Sequence, residues 1–278
     1  MIKDRAISKR DLIALVLFLV AIISWFRADL FGHELLAQIA ILAIFAISLD
    51  LLAGYTGLVS LGHAAFYGVG AYATAGLGVT AGWPMWLVMP SGMFLAALLA
   101  AVVGVFAVRL VGVFFLMITL AIGEMIHAFV FRSRLFGGDD GMGGVPRINL
   151  DTMGINLLDP TQFSLFTVFV AMVVYFVAAK VVDSPFGRVL AGIHENAARM
   201  QALGCPVRRY KLAVFVLAAS VAGLAGSLAA QHNNFVSPEL LTWTTSGEVL
   251  IVIIIGGIGT LVGPVAGAAV FVMLAHYL

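Results

Sequence analysis

Asp50, Glu124 and His127 stand inside otherwise apolar stretches of the chain. An ionisable group at membrane depth is costly, so each is a functional candidate by position, as a stop for an ion or a polar solute. Glu124 and His127 are three residues apart and share a helix face. A Glu-x-x-His pair can serve a di-metal centre in a four-helix bundle, but such a centre needs a second pair, and the sequence holds none. The reading is therefore no metal site, and a polar pair facing the bundle interior or a substrate path. Asp50 reads either with that path or as a helix-end charge near the cytoplasmic surface.

The segment LLAGYTGLVSLGHAAFYGVGAY, residues 51 to 72, combines Gly54, Gly57 and Gly62 with Thr56, Ser60 and His63. Glycines adopt backbone conformations that a helix interior excludes, so a break between two apolar helices is expected here. Non-helical backbone at membrane depth is tolerated only against protein or a water-filled path, which in a transporter marks a substrate site or gate. An ordinary cytoplasmic hairpin turn fits the same residues. A second glycine-rich break, GGIGTLVGPVAGA at 256 to 268, carries Gly256, Gly257, Gly259 and Gly263 and faintly echoes residues 54 to 65. An internal repeat and chance similarity explain that echo equally well. Small residues four apart, Ala64 with Gly68, Ala219 with Gly223 and Ser227, and Ala222 with Gly226 and Ala230, predict close helix packing.

The elements that must hold these residues follow from composition. Of 278 residues, 62% are hydrophobic and 10% charged, with a mean hydropathy of +1.10. That is too little charge to coat a water-soluble particle, since soluble domains carry about 25% charged residues. A net charge of +1 gives no basic field for nucleic acid, and the single cysteine, Cys205, excludes an intramolecular disulfide. A bilayer core of about 30 Å takes about 20 apolar residues in a helix. Residues 12 to 28, 35 to 53, 62 to 80, 85 to 108, 110 to 131, 163 to 182, 212 to 231 and 247 to 258 read as spans, with a ninth opening at Gly263. The expected fold is all-α: a polytopic transmembrane bundle of eight or nine helices with glycine-rich breaks, a single transmembrane domain over 1 to 278.

Lys3, Arg5, Lys9 and Arg10 precede the first apolar run, and no small-residue cleavage site follows it, so that helix is read as retained with residues 1 to 11 cytoplasmic. Alternating the spans then puts residues 133 to 162 outside, with Asp139, Asp140, Asp151 and Asp159. It puts residues 180 to 211 inside, with Lys180, Arg188, Arg199, Arg208, Arg209 and Lys211 against Asp183 and Glu195. A miscount by one helix would throw this most basic loop to the wrong side. Arg132, Arg134 and Arg147 near the outer loop are a mild conflict. Residues 263 to 278 rise about 24 Å, short of a full span, so either the last helix continues in a fuller chain or a tail is missing.

Within the basic loop, Val189, Leu190, Ile193, Ala197, Met200 and Leu203 recur at helical spacing, while Arg188, His194, Glu195 and Arg199 take other faces. Pro185 opens the pattern, and Gly204 with Pro206 closes it. A helix lying under the membrane is expected, as a docking surface or as an interfacial anchor.

Two stretches resemble one family. GYTGLVSLGHAAFYGVGAY at 54 to 72 looks like the signature of LivM-type permease subunits of branched-chain amino acid ABC importers. SPFGRVLAGIHENAARMQALGCPVRRYKLAVFVLAASVAGLAG at 184 to 226 is similar to that family's cytoplasmic loop and following helix. The related urea-type permeases are the nearest alternative. The resemblance implies a bacterial inner-membrane subunit working with a second permease subunit, two ATP-binding subunits and an extracytoplasmic solute-binding protein. It implies that Arg188, Glu195, Ala197, Ala198 and Gly204 dock an ATPase subunit, with Asn196 standing where the commoner pattern has Ala.

None of the four lysines, at 3, 9, 180 and 211, follows a glycine, so the phosphate-binding loop GxxxxGK[ST] is absent. The chain is thus expected to bind no cofactor, with ATP and magnesium in the partner ATPase, and to hold no catalytic residue. Ser60, His63 and Glu124 are the expected contacts along the substrate path. The alternative is a channel or secondary transporter driven by an ion gradient through Asp50, Glu124 and His127.

Overall fold

The structure, a computed structural model, describes residues 9–148 and 157–277; Lys3, Arg5 and Asp151 lie outside the described residues. Among the described residues the chain forms ten α-helices. They are α1 (Lys9–Arg27), α2 (Leu30–Thr56), α3 (His63–Ala75), α4 (Met85–Ala107), α5 (Val113–Arg132), α6 (Pro160–Asp183), α7 (Pro185–Ala202), α8 (Val207–Asn233), α9 (Trp243–Gly256) and α10 (Val262–Tyr277). Helices α2, α4, α5, α6 and α8 are long and apolar enough to cross a membrane, and α1, α9 and α10 carry shorter apolar stretches. The fold is the all-α polytopic bundle that hydropathy predicts, with the strongly amphipathic α7 outside the apolar layer.

Helices α2 and α8 form the centre, with buried side chains on every face, while α4 and α5 expose Phe94, Leu98, Val102, Met117, Met125 and Phe129 outward. An all-round apolar helix is stable either inside such a bundle or against lipid, so both patterns suit a membrane. The small-residue stripes lie where helices cross most tightly. A Cβ on Gly226 would collide with the Tyr67 carbonyl of α3, and one on Gly70 with the Gly223 carbonyl of α8. Ser227 Oγ, in the same crossing, lies 3.2 Å from the Gly70 carbonyl oxygen. Backbone-to-backbone approach of this kind supplies dispersion contact where lipid offers no hydrophobic drive between helices.

Polar contacts sort the helix ends onto two sides. On one side Arg10 at the start of α1 pairs with Asp183 at the end of α6 at 2.8 Å, and His194 of α7 meets the last turn of α2. On the other, Trp25 near the end of α1 donates to the Thr161 carbonyl at the start of α6, and Phe31 of α2 packs on His276 of α10. There too a two-stranded antiparallel ladder pairs β1 (Met142–Gly143) with β2 (Phe235–Val236). Arg147 donates to the carbonyls of Gln231 and His232 at the end of α8, and to that of Leu158. Asp159 caps α6 by accepting the Thr161 N–H at 3.0 Å, which holds its carboxyl below the ordinary carboxylate range. Residues 9–11 and 180–211 thus share a side, and the described part of 133 to 162 lies opposite.

Candidate functional site

Helix α2 ends at Thr56, and Gly57 turns the chain left-handed at φ 70°. Residues 57–62 are non-helical, with Leu58, Ser60 and Gly62 buried. His63 opens α3 with its Nε2 2.9 Å from Ser48 Oγ. Ser48 stands two turns before the end of α2, about 12 Å at about 1.5 Å per residue. The chain therefore climbs back beside α2 before α3 begins, which a simple surface hairpin would not do. Buried, irregular backbone at this depth is sustained by the surrounding protein. Gly62 lies so close to α5 that a Cβ there would collide with the Thr119 carbonyl, and the Ala64 N–H donates to Ser246 Oγ of α9 at 2.9 Å.

Ser48 spends its hydroxyl proton on the Phe45 carbonyl at 2.6 Å, so His63 donates from Nε2. Its Nδ1 and the Ser60 hydroxyl are buried with no protein partner among the described residues. Both side chains are shut off from the surface, and the His63 ring lies parallel to Phe45. Glu124 sits in front of them on α5. It accepts the Trp243 N–H, the first of α9, at 3.3 Å, and approaches His127 Nδ1 at 3.7 Å. Ser60, His63 and Glu124 are thus gathered around the starts of α3 and α9, the first two behind and Glu124 at the surface with 39% of its side chain exposed. An apolar groove of about 720 Å³ between α3, α4 and α5, walled by Tyr72, Leu77, Leu98 and Phe129, contains none of these three.

Two features escaped the sequence reading. Helix α9 begins at Trp243, inside the layer and level with Glu124; the chain reaches it from β2 through a 3₁₀ turn, Pro238–Leu241, whose Leu241 lies over Gly68. Glu248, on the exposed face of α9 beside Gly247, adds a second carboxylate to the outer surface. The hydroxyl-rich run from Thr242 to Ser246 ahead of 249–255 was the available signal for this helix start.

Asp50 is not a surface helix-end charge. It is fully buried, with Oδ1 accepting the Gly259 N–H at 2.6 Å and Oδ2 accepting the Leu261 N–H at 3.2 Å. The carboxylate supplies partners for loop backbone that is fully buried at Leu261 and partly buried at Gly259. Gly54, expected in the break, is still helical in the last turn of α2, one turn along from Asp50, and lies against Gly259, so the end of α2 just ahead of the first break touches the second. Gly257 and Gly259 take positive φ, and Gly256 and Gly263 are close enough that a Cβ on Gly256 would collide with the Gly263 carbonyl.

The foot differs from one continuous amphipathic helix. Asn196 is extended, at φ −159° and ψ 94°, and its Oδ1 accepts the Arg199 N–H at 2.9 Å. Asn196 is thus the N-cap of a second helical segment, which kinks α7 and splits the apolar stripe. Leu190 and Ile193 are buried against the bundle, whereas Leu203 is 76% exposed. The second segment ends in a paired closure, with Gly204 N–H to the Gln201 carbonyl and Cys205 N–H to the Met200 carbonyl, and Gly204 at φ 82°. Glu195 and Ala198 are exposed, Ala197 is half-buried, and exposed Arg188 reaches the Asp183 carbonyl at 3.4 Å.

Residues 33–278 match the family described as the branched-chain amino acid transport system permease component. The chain belongs to this family. The LivM permease protein of the high-affinity branched-chain amino acid transport system of Escherichia coli (strain K12) is 29% identical over 93% of this chain. Its Salmonella typhimurium counterpart is 27% identical over 97%. The chain spans 66% and 69% of the length of these two relatives. No solved structure matches it. As a member of the permease family, the chain carries its breaks, α5 and the foot all within the matched region.

Proposed function

We propose that the chain is one membrane-spanning subunit of an ATP-driven importer for branched-chain, aliphatic amino acids, supplying half of the translocation path. One observation carries this reading: Glu124 on α5 and Glu248 on α9 both reach the outer surface of otherwise apolar helices, Glu124 close to the partly exposed His127 and bonded to the first N–H of α9, and Glu248 one turn on from exposed Thr244. Carboxylates facing lipid at this depth are costly, so the strip calls for a second permease subunit across a wet path. A self-contained secondary transporter would enclose its polar residues, and the one fully buried acid among the described residues, Asp50, is engaged by loop backbone. The two acids suit the ammonium group of a zwitterionic substrate, the apolar walls suit its side chain, and Ser60 and His63 form the layer behind.

The basic side, with α7, is cytoplasmic in this reading, and the membrane is the bacterial inner membrane. Two ATP-binding subunits, which hold the ATP and magnesium, dock at Arg188, Glu195, Ala197, Ala198 and Gly204. An extracytoplasmic solute-binding protein delivers substrate to the opposite side. The chain itself performs no covalent chemistry. The test is purification of the full chain from its native membrane, identification of what accompanies it, and leucine uptake in reconstituted vesicles. An ATPase and a second permease are expected to copurify, with uptake requiring ATP and falling at least tenfold in Glu124→Gln and Glu248→Gln. Uptake by the isolated chain under an ion gradient would refute the proposal.

A further inference from the structure

The foot meets the membrane-spanning helices through a polar contact that the docking reading does not use. His194 Nδ1–H donates to the Gly54 carbonyl at 3.0 Å, and its ring sits on Gly57, where a Cβ would lie 3.3 Å from the ring Cδ2. The Gly54 carbonyl belongs to the last turn of α2, where a helix leaves its final carbonyls without intrahelical donors. The same turn touches the second break: a Cβ on Gly54 would lie 2.6 Å from Gly259 Cα. One turn earlier, Asp50 grips the Gly259 and Leu261 N–H groups. The chain leaving Gly57 runs directly into the break whose far end, at Ala64, is bonded to α9.

We propose that His194 is the joint through which movement of the foot reaches both helix breaks, by way of the Gly54 carbonyl and the Asp50-held loop. This rests on the transporter reading above. The last turn of α2 is attached on one side to α7 and on the other to both irregular segments, so a displacement of α7 changes the two breaks together. His194 is a positioning residue, and it touches no substrate.

The test uses the complete transporter in lipid vesicles, with ATP hydrolysis and leucine uptake measured on the same preparation. In His194→Ala, hydrolysis and ATPase binding are expected to stay within twofold of the unsubstituted complex, while leucine carried per ATP falls at least tenfold. His194→Asn, whose amide nitrogen can take the place of Nδ1, is expected to restore most of that ratio. An unchanged ratio in His194→Ala overturns the proposal, as does an Asn variant no better than Ala. Failure of His194→Ala to assemble overturns it too, because an exposed transmitting residue is not needed to build the complex. Leucine uptake by the unsubstituted complex without ATP would instead defeat the transporter reading itself.

Discussion

Replacing Asp50 by alanine tests whether the second break is held from a distance. The substitution strands two backbone donors, the N–H groups of Gly259 and Leu261, now bonded at 2.6 and 3.2 Å. A buried donor left without a partner costs about 1–3 kcal/mol. Leu261 is fully buried and takes the larger share, whereas Gly259 is half-exposed and can recruit water, so the sum is about 2–4 kcal/mol. Part of this is recovered, because Leu261 sits at φ 59°, a left-handed conformation that strains a residue other than glycine, and it relaxes once released. The assay is hydrogen–deuterium exchange of the peptide covering residues 256–263 with the protein in lipid nanodiscs. At about 1.4 kcal/mol per factor of ten, and with about 1 kcal/mol of the cost recovered, amide exchange there should accelerate by about fivefold or more in Asp50→Ala, and by less in Asp50→Asn, which keeps one acceptor oxygen. Exchange in Asp50→Ala within threefold of the unsubstituted protein would refute the anchoring role.

Arg147→Ala removes donors to three backbone carbonyls and a guanidinium 4.8 Å above the Phe163 ring, so protease cleavage within 133–148 should quicken at least tenfold, and less in Arg147→Lys. Gly226→Val drives a side chain into the Tyr67 carbonyl and should cost about 1–3 kcal/mol or more, read as a lower melting temperature in detergent; Gly247→Ala, placed in open space, should leave it unchanged. Asn196→Ala removes the cap of the foot's second segment, a loss of about 1 kcal/mol, and amide exchange over 197–202 should rise about fivefold with the membrane helices unaffected.

Hydropathy located the apolar helices because a membrane imposes its requirement on each segment separately: every span must be apolar and internally hydrogen-bonded, whatever it later touches. Charge marked one side as basic for a similar reason, since Lys180, Arg188, Arg199, Arg208 and Arg209 cluster in one stretch of sequence, and Arg10 at the start of α1 lies on that same side. The small-residue spacing around Gly223 and Gly226 announced close crossings, although not which helix would arrive. The first break, at 57–62, was visible in its glycines, and the foot in its periodicity. What they left open was depth: whether residues 57–62 form a surface turn or re-enter the layer depends on Ser48 meeting His63.

Tertiary structure alone decided the rest. Asp50 and its partner Gly259 are 209 residues apart, and no local pattern indicates which backbone groups a lone carboxylate will satisfy. Glu124 became the acceptor for the first N–H of α9 only because α5 passes the point where α9 starts, 119 residues later. The kink at Asn196 is a local capping event, yet it turns Leu203 outward while Leu190 and Ile193 stay against the bundle, a division that depends on where the bundle lies. Membrane partition is settled residue by residue along the chain. The pairing of buried polar groups is settled between distant segments, and that is where the features of this site arise.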